Sequence, residues 1–565
     1  MKRLLPVLGL ALRLVCPLAA QAPMSATDSA RHVLNRLAYG ATPGAIEAIA
    51  HEGVLKWVDR QLGFADVHDP ALADLEGGFD VLHTSRLEMQ ELQQKNQAKV
   101  QRAQALGDSS ARQKVLDDLR MEQQGDRRSL QNLIAQLNAV TMTRAVESDR
   151  QLDEILVDFW TNHFNVFINK GQDRSYFADY LEKTIRGHSL GKFEDLLLAT
   201  AQSPAMLFYL DNAESVADGT DQRMAAMGRG RGGIGIQPGF GRGRGIFPNP
   251  RPGTFPPNGA DPMRPGAQQA IQRAPRGLNE NYARELMELH TLGVDGGYTQ
   301  QDVIAVARIL TGWTIDRRDA SFTFRAPAHD FQAKVVLGQK FEANHAEDEG
   351  TRLLKMLASE PATMHHVSAQ LCARFVNDVP PDGCIDDAVR AWKKSGGEIR
   401  EVVRAIIRSP DFWAAVNVQS KVKTPLEFVA SALRAVGATP DSTPRLAQRV
   451  GQLGEPLFQH ATPDGYGERQ QDWVNSGALL ARMNFAVQLA SGRLPGATVD
   501  LDRVVGLTDD HVALVSAVDK VVLGGAMTKQ TRETILKELA DVPDARLARA
   551  LAVGLAIGGP EFQRQ

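Results

Sequence analysis

The chain predicts an all-α protein: a large multi-helix domain of stacked antiparallel helices with one minor β-hairpin. Three observations carry this expectation. Apolar residues recur at helical spacing through most of the 565 residues. Helix starts and stops, such as Thr42-Pro43 and Gly293, punctuate that pattern at short intervals. Strand character is confined to SFTFR (321–325) and KVVLGQKF (334–341), enough for one hairpin. A composition of 43% hydrophobic and 23% charged residues is that of a globular protein long enough to bury a sizeable core.

The elements follow in order. Lys2 and Arg3, an apolar run and Ala20-Gln21-Ala22 read as an export signal over residues 1–22. This predicts a periplasmic or extracellular protein. No later apolar stretch reaches membrane-spanning length, so no span is expected after signal removal. Residues 29–62 hold two short helices, with Thr42 as N-cap and Pro43 as first residue of the second. Residues 84–142 read as a helical hairpin broken near Gly107 and projecting into solvent. An amphipathic helix follows at 149–168, then helices at 175–187 and 192–202. Residues 215–277 change character. From Arg229 to Arg276 there are eight arginines against one acid, amid Gly and Pro, which predicts a disordered insertion. Helices resume from 347, closing a helical domain over 29–495, and a C-terminal helical extension occupies 500–565.

The net charge of -3 argues against a nucleic-acid partner, and the 6% aromatic content does not favour a sugar-stacking surface. Beyond the signal two cysteines remain, Cys372 and Cys384. An oxidising compartment permits their bridge, and two unpaired thiols are the alternative. The C-x-x-C spacing of a redox site is absent.

Two helices carry polar groups where a core helix should not. In NENYARELMELHTLG (279–293), Asn279 caps the start and Gly293 the end. Glu285 lies near the apolar arc, and His290 falls between Leu286 and Ala283. In LDEILVDFWTNHFNVF (152–167), His163 sits in the middle of the apolar stripe. Buried Glu and His must be paired, hydrogen-bonded or neutral. The structural reading is a core histidine on a backbone carbonyl or carboxylate. The chemical reading makes His163, Glu285 and His290 the catalytic candidates of a metal-assisted or carboxylate/His-dependent hydrolase, sited between the 152–167 and 279–292 helices. Neither H-E-x-x-H nor paired E-x-x-H occurs, so metal and cofactor stay undetermined.

Other motifs read as structure. Arg284 is expected to pair with Glu288. Thr299 and Asp302 form a capping box. Gly187-His188-Ser189-Leu190-Gly191 matches G-x-S-x-G, but the segment before it is helical, whereas a nucleophile elbow needs a strand. His329-Asp330 is a polar pair without an assigned use. HATPDGYGERQQDW (460–473) is a turn-rich loop of the kind that binds ligands, although a surface connection is the default.

Taken together, HVLNRLAYGATPGAIEAI (32–49), LVDFWTNHFNVF (156–167), LLLATAQSPAMLFYLDNAES (196–215), GLNENYARELMELHTLGVDGGYTQQDVIAVARILTGWTI (277–315), KTPLEFVASALRAVG (423–437) and the 457–486 region resemble the bacterial domain-of-unknown-function 1800 family, over roughly residues 30–490. The resemblance implies a mostly helical exported protein with no firmly attached reaction. It also implies a partner, because members are often encoded beside exported proteins of alkaline-phosphatase-like fold. The leading expectation is therefore an accessory or binding protein working with a partner at the cell envelope. The 215–277 insertion departs from the compact family pattern.

Overall fold

The computed structural model describes residues 24–63, 69–106, 108–217 and 277–565. The expected signal peptide, and residues 218–276 of the expected insertion, lie outside them. Within the described residues the fold is all-α, with three small two-stranded ladders.

Nine helices frame the argument: α1 (Leu130–Glu147), α2 (Gln151–His163), α3 (Glu280–Glu288), α4 (Gln300–Ile309), α5 (Pro361–Phe375), α6 (Asp382–Ser395), α7 (Pro425–Ala435), α8 (Ser476–Ala490) and α9 (Ala545–Gly558). α7 is the axis, buried along its whole length. Its start is a full capping box, with the Glu427 backbone N–H donating to Thr424 Oγ1 and the Thr424 N–H donating to the Glu427 carboxylate. α2 is buried on nearly every face, and Asp153 and Glu154 in its first turn complement the helix dipole. α5 and α6 are tied by the Cys372–Cys384 disulfide, which resolves the two readings of those cysteines in favour of the bridge.

The C-terminal helices return to the centre. α9 runs antiparallel to α8, and two glycines set their approach. A Cβ at Gly554 would lie 3.5 Å from Val487 Cα, and one at Gly558 would lie 2.5 Å from the Met483 side chain. Gln565 exchanges backbone hydrogen bonds with Lys421, and the Lys423 N–H donates to Gln563 O. Residues 500–565 are thus stitched to the start of α7.

Several local expectations are corrected. The second helix of the 29–62 region starts at Ala45, because Thr42 and Pro43 form the turn before it and left-handed Gly44 precedes the first helical residue. The 84–142 segment is three helices, Arg86–Gln104, Ser109–Gly125 and α1, and the last is a core helix through Leu133, Leu137 and Val140. The single hairpin is two: β1 (Trp313–Asp316) with β2 (Ser321–Phe324), and β3 (Lys334–Val336) with β4 (Gln339–Phe341). Trp313–Asp316, outside the two segments expected to carry strand character, supplies an extra strand. Arg284 pairs with Glu280 and Gln300, not Glu288.

Candidate functional site

α3 runs from Glu280 to Glu288, opened by Asn279, whose side-chain oxygen accepts the Asn281 N–H. Beyond it the turn widens. The backbone N–H groups of His290 and Leu292 donate five residues back, to Glu285 O and Met287 O. Gly293 then turns left-handed, where a Cβ would meet His366 Nδ1 at 2.8 Å. This turn brings His290 under α2.

The structure brings His163 and His290 together. His163 Nε2 lies 3.3 Å from the backbone carbonyl of His290, and the ring centroids are 6.2 Å apart. Phe159, Trp160 and Phe164 surround His163. Burial, reinforced by the nearby His366, holds His163 down to about 3. Burial with His163 beside it does the same to His290. Both are neutral imidazoles near pH 7. Glu285 meets His290 through its backbone carbonyl, which accepts the His290 N–H. It is half-buried, and desolvation raises its carboxyl, helped by the charges of Glu288 and Asp464 against that of Arg284. Among the described residues no His163–Glu285 hydrogen bond occurs.

The polar groups that do meet lie one turn away. On α2, Glu154, Asp158 and Asn162 repeat at i, i+4, i+8; Glu154 is held by Arg186, which leaves Asp158 and Asn162 for the neighbouring elements. On α5, His366, Gln370 and Arg374 repeat in the same way. The stripes face one another: Arg374 Nη2 stands 3.8 Å from Asp158 Oδ2, and the Gln370 side chain lies beside His163. The 460–473 loop roofs the cleft between them. Asn162 exchanges two hydrogen bonds with the Tyr466 backbone, at 2.8 and 2.6 Å. Asn165 donates to His460 O and Thr462 O, and the Tyr209 hydroxyl donates to Ala461 O. Gly465 makes the closest approach. It is left-handed, and a Cβ there would lie 2.5 Å from Asn162 O.

Arg374 anchors the cleft. It is 2% exposed, and its Nη1 sits 2.7 Å from Glu427 and 3.3 Å from Glu468. Its Nη2 has no hydrogen-bond partner. His366 Nε2 and His290 Nε2 are likewise unpartnered. Asp158 is hemmed in by protein, yet 28% of its side chain stays open to solvent, as does 24% of Glu468. Desolvation pushes the Asp158 carboxyl up to about 7, against the pull of the Arg374 charge and with the charges of Glu468 and Glu427. Glu427 goes the other way, held below the usual range because Arg374, Gln565 and the Thr424 N–H together outweigh its burial. Glu455, buried with its Oε2 on the Leu426 N–H, is pushed well up by desolvation and by Asp158. Neighbouring carboxyls driven apart in this way suit proton donation and acceptance.

Sequence reasoning missed Asp158, Asn162, Arg374, Glu427, Glu455 and Glu468. The i, i+4, i+8 stripes on two apolar helices were the available signal, whereas Glu427 reads only as a capping residue. Other motifs are structural. Ser189 is buried and donates to Asp153 Oδ1 at 2.5 Å, with helical residues before it. Thr299 and Asp302 close their capping box. His329 bonds Thr311 O through Nδ1, and its Nε2 lies 3.4 Å from Glu349, which Lys334 also contacts. Asp330 pairs with Arg308. Among the described residues no group of three or more His, Cys, Asp or Glu side chains is arranged to hold a metal ion, and no helix is long and apolar enough to cross a membrane.

A disulfide-tied all-α domain with a roofed polar cleft is the class this architecture defines. The chain belongs to the family described as protein of unknown function (DUF1800), whose model matches residues 32–564, so the family extends through the C-terminal helices. No curated protein and no solved structure matches the chain.

Proposed function

We propose that the protein is an exported binding or accessory protein that works with a partner at the cell envelope, and that the α2–α5 cleft holds the recognised group. One observation carries the cleft assignment: a guanidinium fixed on one nitrogen by two carboxylates, its other nitrogen making no hydrogen bond and standing 3.8 Å from the partly exposed Asp158 carboxyl. A buried donor left unmade is costly, and a ligand oxygen at Arg374 Nη2 removes that cost. The signal-like N-terminus and the disulfide support export. The partner expectation rests on the exported alkaline-phosphatase-like proteins encoded beside family members.

The test is capture of that neighbouring alkaline-phosphatase-like protein by the purified full chain, wild type against Arg374→Gln. Capture by wild type that weakens at least tenfold in the variant supports the reading. No capture by wild type, or equal capture by both, refutes it. A second reading, a carboxylate-dependent hydrolase, is favoured by Asp158, whose position near neutrality suits a general acid or base. It expects turnover of a model ester or glycoside that Asp158→Asn abolishes while partner capture survives. His163 and His290 then serve as neutral groups beside the cleft.

A further inference from the structure

A buried Lys–Glu–His cluster is built from the second hairpin and the helix that follows it. Lys334 opens β3, Glu349 stands in the first turn of the helix Glu347–Ser359, and His329 lies in the connection from β2 to β3. His329 and Glu349 are 2% exposed and Lys334 3%. The Lys334 ammonium donates to Glu349 Oε2 at 2.7 Å and to the Asp330 carbonyl. His329 Nε2 stands 3.4 Å from the same Glu349 oxygen. One carboxyl oxygen is thus within reach of both an amine and an imidazole nitrogen.

The tautomer of His329 follows from its other partner. Nδ1 lies 2.8 Å from Thr311 O, which can only accept, so Nδ1 carries a proton. In the neutral ring Nε2 is then a bare acceptor, and it makes no hydrogen bond. Glu349 Oε1 is likewise buried without a hydrogen bond. Asp330 commits its side chain to Arg308, so among the described residues Glu349 is the one carboxylate paired with Lys334. Aromatic groups close the site. Phe324 and Phe331 pack edge to face with His329, and a Cβ at Gly350 would lie 2.2 Å from the Trp313 ring.

An ion pair is poorly served here. Two opposite charges and an unmade carboxyl oxygen are held out of water, where their desolvation cost is high. Water ordinarily opposes condensation of an amine with a carboxylate by solvating the separate ions, and these ions are sealed from it. An amide is neutral, and forming it removes both charges and one of the two carboxyl oxygens. The fold also replaces a bimolecular encounter by an intramolecular one. Lys334 Nζ is no farther from Glu349 Cδ than the 2.7 Å contact plus one C–O bond.

We propose that Lys334 and Glu349 become joined after folding by a side-chain amide. The lysine nitrogen gives up a proton, its lone pair adds to Glu349 Cδ, and the C=O π pair moves onto oxygen. That pair returns as the Cδ–Oε2 bond breaks. Oε2 departs as water with two of the three ammonium protons, and His329 Nε2, next to Oε2, relays them. The third proton stays as the amide N–H, on the Asp330 carbonyl that already accepts from this nitrogen. Ammonium and carboxylate thus give amide and water, with no oxidant or co-reactant. The bond ties β3 to the helix Glu347–Ser359 across 15 positions.

Mass spectrometry of the reduced, denatured full chain after trypsin digestion reads the bond directly. Cleavage after Lys334 is expected to be lost. Residues 326–340 should stay joined to 341–352 in one branched peptide, lighter by one water than its two parts. Lys334→Met and Glu349→Ala should abolish it. His329→Gln should slow its appearance after cell-free synthesis at least about tenfold. Separate peptides 326–334, 335–340 and 341–352 in wild type, with no branched product, overturn the proposal and leave a plain ion pair, whether or not any variant folds. An unchanged rate in folded His329→Gln overturns the relay. None of the three residues lies on α2 or α5, so partner capture and this bond fail separately.

Discussion

Asp158→Asn tests the electrostatics of the cleft directly. In the folded protein the Asp158 carboxyl stands at about 7, against an ordinary value of 3.8. The folded state therefore holds this proton more tightly than the unfolded state. For a carboxyl raised in this way, stability is lost as pH rises from about 4 to about 7 and stays lost above that. At about 1.4 kcal/mol per unit the three-unit shift sets a ceiling of about 4 kcal/mol. The side chain keeps 28% of its surface in solvent, so screening reduces this to about 2 kcal/mol. Asparagine cannot ionise, and Arg374 keeps Glu427 and Glu468. The variant should match wild type at about pH 4 and exceed it by about 2 kcal/mol at about pH 8. Urea unfolding at both pH values measures the difference. A variant that gains nothing on going from acid to mildly alkaline pH, or that loses stability there, refutes the account of a carboxyl crowded by Glu468 and Glu427.

Three further outcomes are expected. His163 and His290 are held neutral, far below the ordinary histidine value, so stability should fall as pH drops below about 6.5; His163→Gln cannot charge, and its urea midpoint should decline less steeply between about pH 6 and about pH 4. Gly465→Ala forces a Cβ to 2.5 Å from Asn162 O at a left-handed backbone; it should cost about 1–3 kcal/mol and expose the 460–473 loop to limited proteolysis, and an unchanged digest would contradict the packing of that loop on α2. Removing the Cys372–Cys384 bridge by Cys384→Ser should lower stability by about 3 kcal/mol. Reductant should lower wild type to the same level, and a variant insensitive to the loss would show that the α5–α6 packing holds without it.

Asn279 and Thr299 read as caps because capping is a local requirement, and both cap their helices, whereas the helix expected to run up to Gly293 ends at Glu288, where the turn widens. His163 was recognisable as an anomaly because its place on the apolar stripe depends only on helical periodicity. Its partner was not, since the His290 carbonyl arrives through a widened turn that no spacing rule anticipates. Glu285 lies on the expected helix, yet desolvation and the charges of Glu288, Arg284 and Asp464 act on it, and no hydrogen bond joins it to His163 among the described residues.

By itself, the sequence determined the helical class, the caps at Asn279 and Thr299 and the two helices whose polar residues had to be explained, because periodicity and capping act over a few residues. Tertiary structure decided which of those residues meet. Asp158 and Arg374 are 216 positions apart, as the numbering of their contact shows. Contacts over such distances depend on how α2 and α5 are stacked, and the stacking is set by apolar burial that is nearly blind to which polar groups it brings together.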